Sequence, residues 1–201
     1  MDLSINQLIS ETKKALCGKG YDFGAALDIA KAVELLALYQ FDISPSIADM
    51  LTQDESRHDG LSETDNDELV ISGCSGLLSV IGAMDIFLSK DCNYLSFTHL
   101  QHPCLSLGLI AIRQSPYFGS FALSSGEALS DALKSKTPLP RHDLTLVKNS
   151  YQHAEPVSWP ARVGIDDTAY ELLKTFAYKT YVPSSETSRA AGAGAGLTDN
   201  D

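Results

Sequence analysis

Apolar residues recur three and four apart from the first turn of the chain onward. Ile5, Leu8, Ile9, Thr12 and Leu16 fall on one face of a helix, the spacing expected when one stripe packs on a core. Ser4 followed by Gln7 has the spacing of a capping box, in which each side chain satisfies an orphan backbone N–H of the other. Leu3 and Leu8 stand where a hydrophobic staple would form, and Gly18 and Gly20 stop the helix. Asp22 caps a second helix, predicted to run to about Phe41. Leu27, Ala30, Leu35, Leu38 and Phe41 are apolar there, but so are Ile29, Val33 and Leu36, so this helix is expected to be largely buried. Asp28, Lys31 and Glu34 supply its narrow solvated stripe. Ser44 and Pro45 read as an N-cap and N1 pair opening a short helix to about Gln53. Asp54 to Glu68 is polar and acidic with only Leu61 apolar, which predicts an exposed loop containing His58.

The pattern changes at Leu69. Leu69-Val70-Ile71 predicts a strand that turns at Ser72-Gly73-Cys74-Ser75-Gly76 into a helix ending near Leu88. Strands are predicted at Tyr94–Thr98, Tyr117–Leu123 and Leu144–Lys148, where β-branched and aromatic residues alternate with small or polar ones. A further strand fits Val157–Val163, with Pro160 placing it at an edge or bulge. Leu105–Ile112 is apolar throughout and fits a buried helix or a buried strand equally. Gly126 to Arg141 is read as connecting structure with one short helix. A last helix is capped by Asp167 or Thr168, buries Ala169, Leu172, Leu173, Phe176 and Thr180, and ends at Pro183. Helices, then strands, then a helix, without regular βαβ alternation, give an α+β fold with a small mixed or antiparallel sheet.

Composition bounds the rest. The 201 residues suit one domain, taken as 1–183, followed by a tail at 184–201. The formal net charge of −11 offers no basic cluster to replace phosphate counterions, and an anionic bilayer would repel it. Nucleic acid and membrane are therefore not expected as partners. Met1-Asp2-Leu3-Ser4 lacks the basic and apolar regions of a signal peptide, and Leu77–Leu88 is too short to span a bilayer. Cys17, Cys74, Cys92 and Cys104 follow no disulfide or metal spacing. These features together predict a soluble, acidic, cytoplasmic protein with reduced thiols.

Two internal segments carry candidate chemistry. The glycines of Ser72–Gly76 would let backbone approach an anion at a helix start, where Cys74 would be activated. The segment lacks the spacing and the lysine of a phosphate loop, so a tight turn around a buried thiol is the simpler reading. His99, His102 and Cys104 lie within six residues, with His142 and His153 available from elsewhere. Zinc sites draw on a second ligand pair at matched spacing, and none is visible. No metal and no cofactor is predicted.

The closing segment differs from everything before it. Gly192, Gly194 and Gly196 alternate with alanines, Arg189 precedes them, and Thr198, Asp199 and Asp201 follow. Glycines at alternate positions permit positive φ and close backbone approach, and a guanidinium recognises planar anions. These seven residues are the candidate binding set of the sequence.

Gly20-Tyr21-Asp22-Phe23-Gly24 before an alanine-rich helix, Tyr181-Val182-Pro183, and Ser188-Arg189 leading to Gly192-Ala193-Gly194-Ala195-Gly196-Leu197-Thr198-Asp199-Asn200-Asp201 resemble an uncharacterised bacterial family, the domain-of-unknown-function family DUF3726. The resemblance covers nearly the whole chain, and the C-terminal motif is its most specific part. It implies a bacterial cytoplasmic protein and a tail with a role; it transfers no catalytic residue. The leading expectation is an accessory or interaction subunit, whose tail docks on a protein partner or completes a pocket in its own oligomer by extended pairing. The alternative is a small enzyme or ligand-binding protein, holding an anionic carboxylate or phosphate metabolite on Arg189 and the glycine amides, with Asp199 or Asp201 as base.

Overall fold

The computed structural model describes residues 1–54, 60–64, 67–113, 120–123, 129–149 and 162–181. Seven helices and two sheets lie among them, an α+β fold. The N-terminal part runs β1 (Asp2–Ser4), α1 (Ile5–Lys19), α2 (Phe23–Leu38) and α3 (Ser44–Thr52). The capping box of Ser4 and Gln7 is formed in both directions, at 3.2 and 2.9 Å. Gly20 closes α1 with φ of 110°, a left-handed conformation that glycine adopts without a Cβ clash, whereas Gly18 lies inside the helix. The Asp22 carboxylate accepts from the Ala25 N–H and starts α2 as predicted. The helix stops at Leu38, three residues short of the prediction, with Gln40 following at φ of 60°.

The start of α3 departs from expectation by one residue. Ile43 occupies the cap position, and the Ser44 hydroxyl accepts from the Asp166 N–H at 3.0 Å instead of capping its own helix. That bond ties α3 to the start of α7 (Asp167–Tyr178). α7 is capped by Asp166, whose carboxylate accepts from the Ala169 N–H at 2.7 Å, rather than by Asp167 or Thr168. On α7 Ala177 is buried, while Thr180 lies exposed beyond the helix end.

The central sheet is ordered β2 (Gly60–Glu63), β3 (Glu68–Ser75), β4 (Tyr94–Leu100), β6 (His142–Asn149) and β5 (Ser120–Leu123). β3 and β4 are parallel, joined across α4 (Leu77–Ser89), and all other neighbours are antiparallel. β2 corrects the predicted exposed loop over 54–68. Leu61, Ser62 and Glu63 are all exposed on this edge strand, so no apolar alternation announced it. Leu69, Ile71, Leu95, Phe97, Leu144 and Leu146 are buried on the helix side. On the opposite face the Ser96 hydroxyl bonds to Thr145 at 2.6 Å and to the Glu68 carboxylate. One apolar and one polar face is the usual arrangement of a sheet covered on one side. β1 and β7 (Arg162–Gly164) form a separate antiparallel pair; the remainder of the strand predicted at 157–163, with Pro160, lies outside the described residues, as do residues 117–119.

Leu105–Ile112 is helical: α5 spans Pro103–Ala111, and every residue from Leu105 to Ala111 is buried. It packs between α4 and α2, which explains why its sequence shows no polar side. α2 in turn packs on α1, and α1 on α7. α6 (Leu129–Ser135) is the short helix foreseen in the connection, and it rests on α5 and β5. Two glycines set these helix contacts. A Cβ at Gly18 would lie 1.9 Å from the Phe176 carbonyl oxygen of α7, and one at Gly108 would lie 2.8 Å from the Ala32 oxygen of α2. Arg113, just past α5, ion-pairs with Asp28 of α2 at 3.1 Å and Asp85 of α4 at 3.2 Å. Asp28 therefore belongs to a clamp rather than to a purely solvated stripe.

Candidate functional site

A cleft of about 270 Å³ opens where the turn after β4 enters α5. Three stretches far apart in the chain wall it: Ser46 and Asp49 from α3, Gln101 to Leu105 from the turn and first turn of α5, and Pro138, Leu139 and Arg141 from the approach to β6. Its position follows from the sheet. The Gln101 N–H donates to the Ser75 carbonyl at 2.9 Å, and the Leu100 N–H to the Arg141 carbonyl at 2.6 Å. The turn is thus pinned to the end of β3 and to the start of β6. The Gln101 side chain also donates to the Asp54 carbonyl at 2.7 Å, closing the α3 side. Crevices beyond the carboxyl ends of parallel strands are common ligand sites, because chain direction leaves helix starts there.

The start of α5 is chemically open. His102 takes the cap position but makes no side-chain cap bond, and Pro103 at N1 has no N–H to offer. The Cys104 and Leu105 amides belong to the first turn, whose donors have no partner within the helix. His102 itself is buried and engaged in another interaction. Burial pushes the Cys104 thiol above its ordinary pKa; Ser46, donating to the sulfur, pulls it part of the way back, and the charge of Asp42 adds to the rise. A thiol held in its neutral form is a poor nucleophile, so it serves as a wall. Arg141 is exposed and forms no ion pair among the described residues. Asp49 is exposed on the α3 wall.

A second depression of about 360 Å³ borders Gln40, Phe41 and Arg162. Its guanidinium is already committed, donating to the Asp2 carbonyl at 2.8 Å. The smaller cleft therefore has the better chemistry, because its cation has no ion pair among the described residues.

The sequence candidates fare unequally. The predicted binding set of Arg189, Gly192, Gly194, Gly196, Thr198, Asp199 and Asp201 lies outside the described residues, as do His58 and His153. Ser72 to Ser75 is strand, not turn, and Gly73 at φ of 81° sits in a register shift between Ile71 and Cys74. Cys74 is therefore two residues before the cap of α4, partly buried, and not on a helix start. His99, His102 and Cys104 do not converge. His99 faces His142 across β4 and β6 with Nδ1 atoms 3.1 Å apart, one ring donating and the other accepting, while His102 and Cys104 belong to the cleft. Among the described residues no three His, Cys, Asp or Glu side chains form a metal-holding group, and no helix is long and apolar enough to cross a membrane. Arg141, Asp49, Ser46 and Gln101 were not singled out by sequence; only the neighbouring His102-Pro103-Cys104 run drew attention.

Comparison with protein-family models, with curated proteins and with solved structures returned no match.

Proposed function

We propose that this chain is a ligand-binding protein that holds an anionic metabolite, a carboxylate or phosphate, in the cleft at the start of α5. The observation that carries the reading is a guanidinium, Arg141, with no ion pair among the described residues, in the same cleft as a helix start without a side-chain cap. Backbone N–H groups and the positive end of a helix dipole favour negative charge at such a point. The volume of about 270 Å³ falls just below the range of about 300–1,000 Å³ typical of small-molecule sites, which suits a metabolite rather than an extended cofactor. The neutral Cys104 thiol supports binding over nucleophilic catalysis. Melting curves with a panel of carboxylates and phosphates test this. A ligand at 100 times its Kd stabilises by about 2.7 kcal/mol, a rise of roughly 5–10 °C for a chain of this size. Arg141→Gln abolishes the shift. A panel that leaves the melting temperature unchanged rejects the reading.

A second reading keeps the tail as the working part of an accessory or interaction subunit that docks on a partner or on its own oligomer. It is favoured by Tyr178 and Tyr181, 76% and 55% exposed at the end of α7, which lead directly toward that segment. The resemblance to the DUF3726 family supports the same reading through the closing motif, and with the four free thiols it supports a bacterial cytoplasmic setting. Truncation after Pro183 separates the two: loss of partner recovery with ligand response intact assigns the function to the tail.

A further inference from the structure

We infer that the preferred ligand of this cleft is zwitterionic, an amino acid with an apolar side chain. The inference rests on the anion-binding reading above and narrows it.

The cleft does not carry charge of one sign. Arg141 and the open start of α5 stand on the β6 and α5 walls, while Asp49 belongs to the α3 wall. A simple anion seated beside Arg141 would meet the field of Asp49, and like charges in a partly desolvated site repel more than in water. A ligand bearing an ammonium as well as a carboxylate turns that repulsion into attraction, because each of its ends then faces an opposite charge. Asp49 forms no ion pair among the described residues, so nothing described there already answers its charge. Beside the polar Ser46, Gln101, His102 and Cys104, the lining carries the apolar side chains of Pro103, Leu105, Pro138 and Leu139. The apolar part of that lining gains from burying an aliphatic body. One cation, one anion and apolar side chains lining a single cleft match the three parts of an apolar amino acid. Specificity then comes from rejection as much as from attraction, since a ligand lacking the ammonium leaves Asp49 facing the bound carboxylate.

The test uses the full-length chain and matched pairs of probes. Alanine, valine, leucine and methionine are titrated calorimetrically beside the des-amino acid of each, for leucine 4-methylpentanoate. At least one amino acid is expected to bind ten times or more tightly than its des-amino partner. Asp49→Asn is expected to remove that advantage by weakening the amino acid about tenfold while leaving the des-amino acid unchanged or tighter. Asp49 is exposed, so the variant's melting temperature serves as the check that folding is intact. Des-amino acids that bind as well as the amino acids, or an Asp49→Asn variant that retains the preference, overturn the zwitterion inference while leaving anion binding standing. Binding of neither set overturns the inference too, and the wider carboxylate and phosphate panel then decides the anion reading by itself.

Discussion

Along its middle and at its exit, α5 meets its neighbours with no space left over. Gly108 lets the α2 backbone approach so closely that a Cβ would sit 2.8 Å from the Ala32 oxygen, and Arg113 is held by Asp28 and Asp85. At its entrance the same helix faces α3 and residues 138–141 across about 270 Å³ of open cleft. The residues change with the geometry. Leucine, glycine and alanine fill the packed end, while His102, Cys104, Asp49 and Arg141 border the open one. Protein interiors are close-packed, so a seam left open between elements and edged by polar groups marks a place shaped for something other than folding.

The largest effect is expected at a second packed seam, where α1 meets α7. Gly18→Ala places a Cβ 1.9 Å from the Phe176 carbonyl, which is backbone and cannot swing aside. Overpacking of this kind costs about 3 kcal/mol or more, read as a fall in melting temperature of roughly 6–12 °C. Gly108→Ala, with its nearest backbone atom at 2.8 Å, is expected to cost about 2 kcal/mol by the same mechanism. Arg113→Met comes next. It removes charge-assisted bonds to two carboxylates from a side chain only 13% exposed, a loss of about 1–2 kcal/mol by urea denaturation. Arg141→Gln, at the open end, should change stability by less than about 0.5 kcal/mol while abolishing the ligand response. A large loss of stability in that variant would place Arg141 in the scaffold and erase the contrast.

The smallest effect concerns Cys104. Burial raises its folded pKa, so the folded state favours the protonated thiol and this contribution is intact below the ordinary thiol pKa. As pH rises through the folded value the contribution is lost, because the unfolded chain releases its proton first. Alkylation of Cys104 by iodoacetamide should therefore be slow at neutral pH and accelerate only above the range of an ordinary thiol. Ser46→Ala should move that acceleration higher still, since the hydroxyl's donation to the sulfur is what holds the pKa down.

The parts of the fold legible in sequence are those specified locally. Ser4 and Gln7 announce the start of α1 because both partners of the box lie within four residues. The cap of α7 lies one or two residues before the expected position because Asp166, Asp167 and Thr168 all carry an oxygen fit to cap, and only Asp166 also donates its N–H to Ser44 of α3. α5 was ambiguous because burial on every side erases periodicity, and β2 was missed for the opposite reason, exposure of three successive side chains. The cleft was illegible on other grounds. Its walls come from positions near 46, 102 and 140, and the two bonds that pin the turn to β3 and β6 run between backbone atoms, which every residue type possesses. Proline-flanked Arg141 reads in sequence only as a connector residue.

Amide chemical shifts of the full-length chain, followed while an anionic ligand from the panel is added, test the central claim most directly. The account predicts that the Cys104 and Leu105 amides and the Arg141 side chain move together and saturate at one Kd, with those shifts absent in Arg141→Gln. Movement confined to Gly192, Gly194 and Gly196, with Cys104 and Leu105 unmoved, would contradict it and give the ligand to the tail.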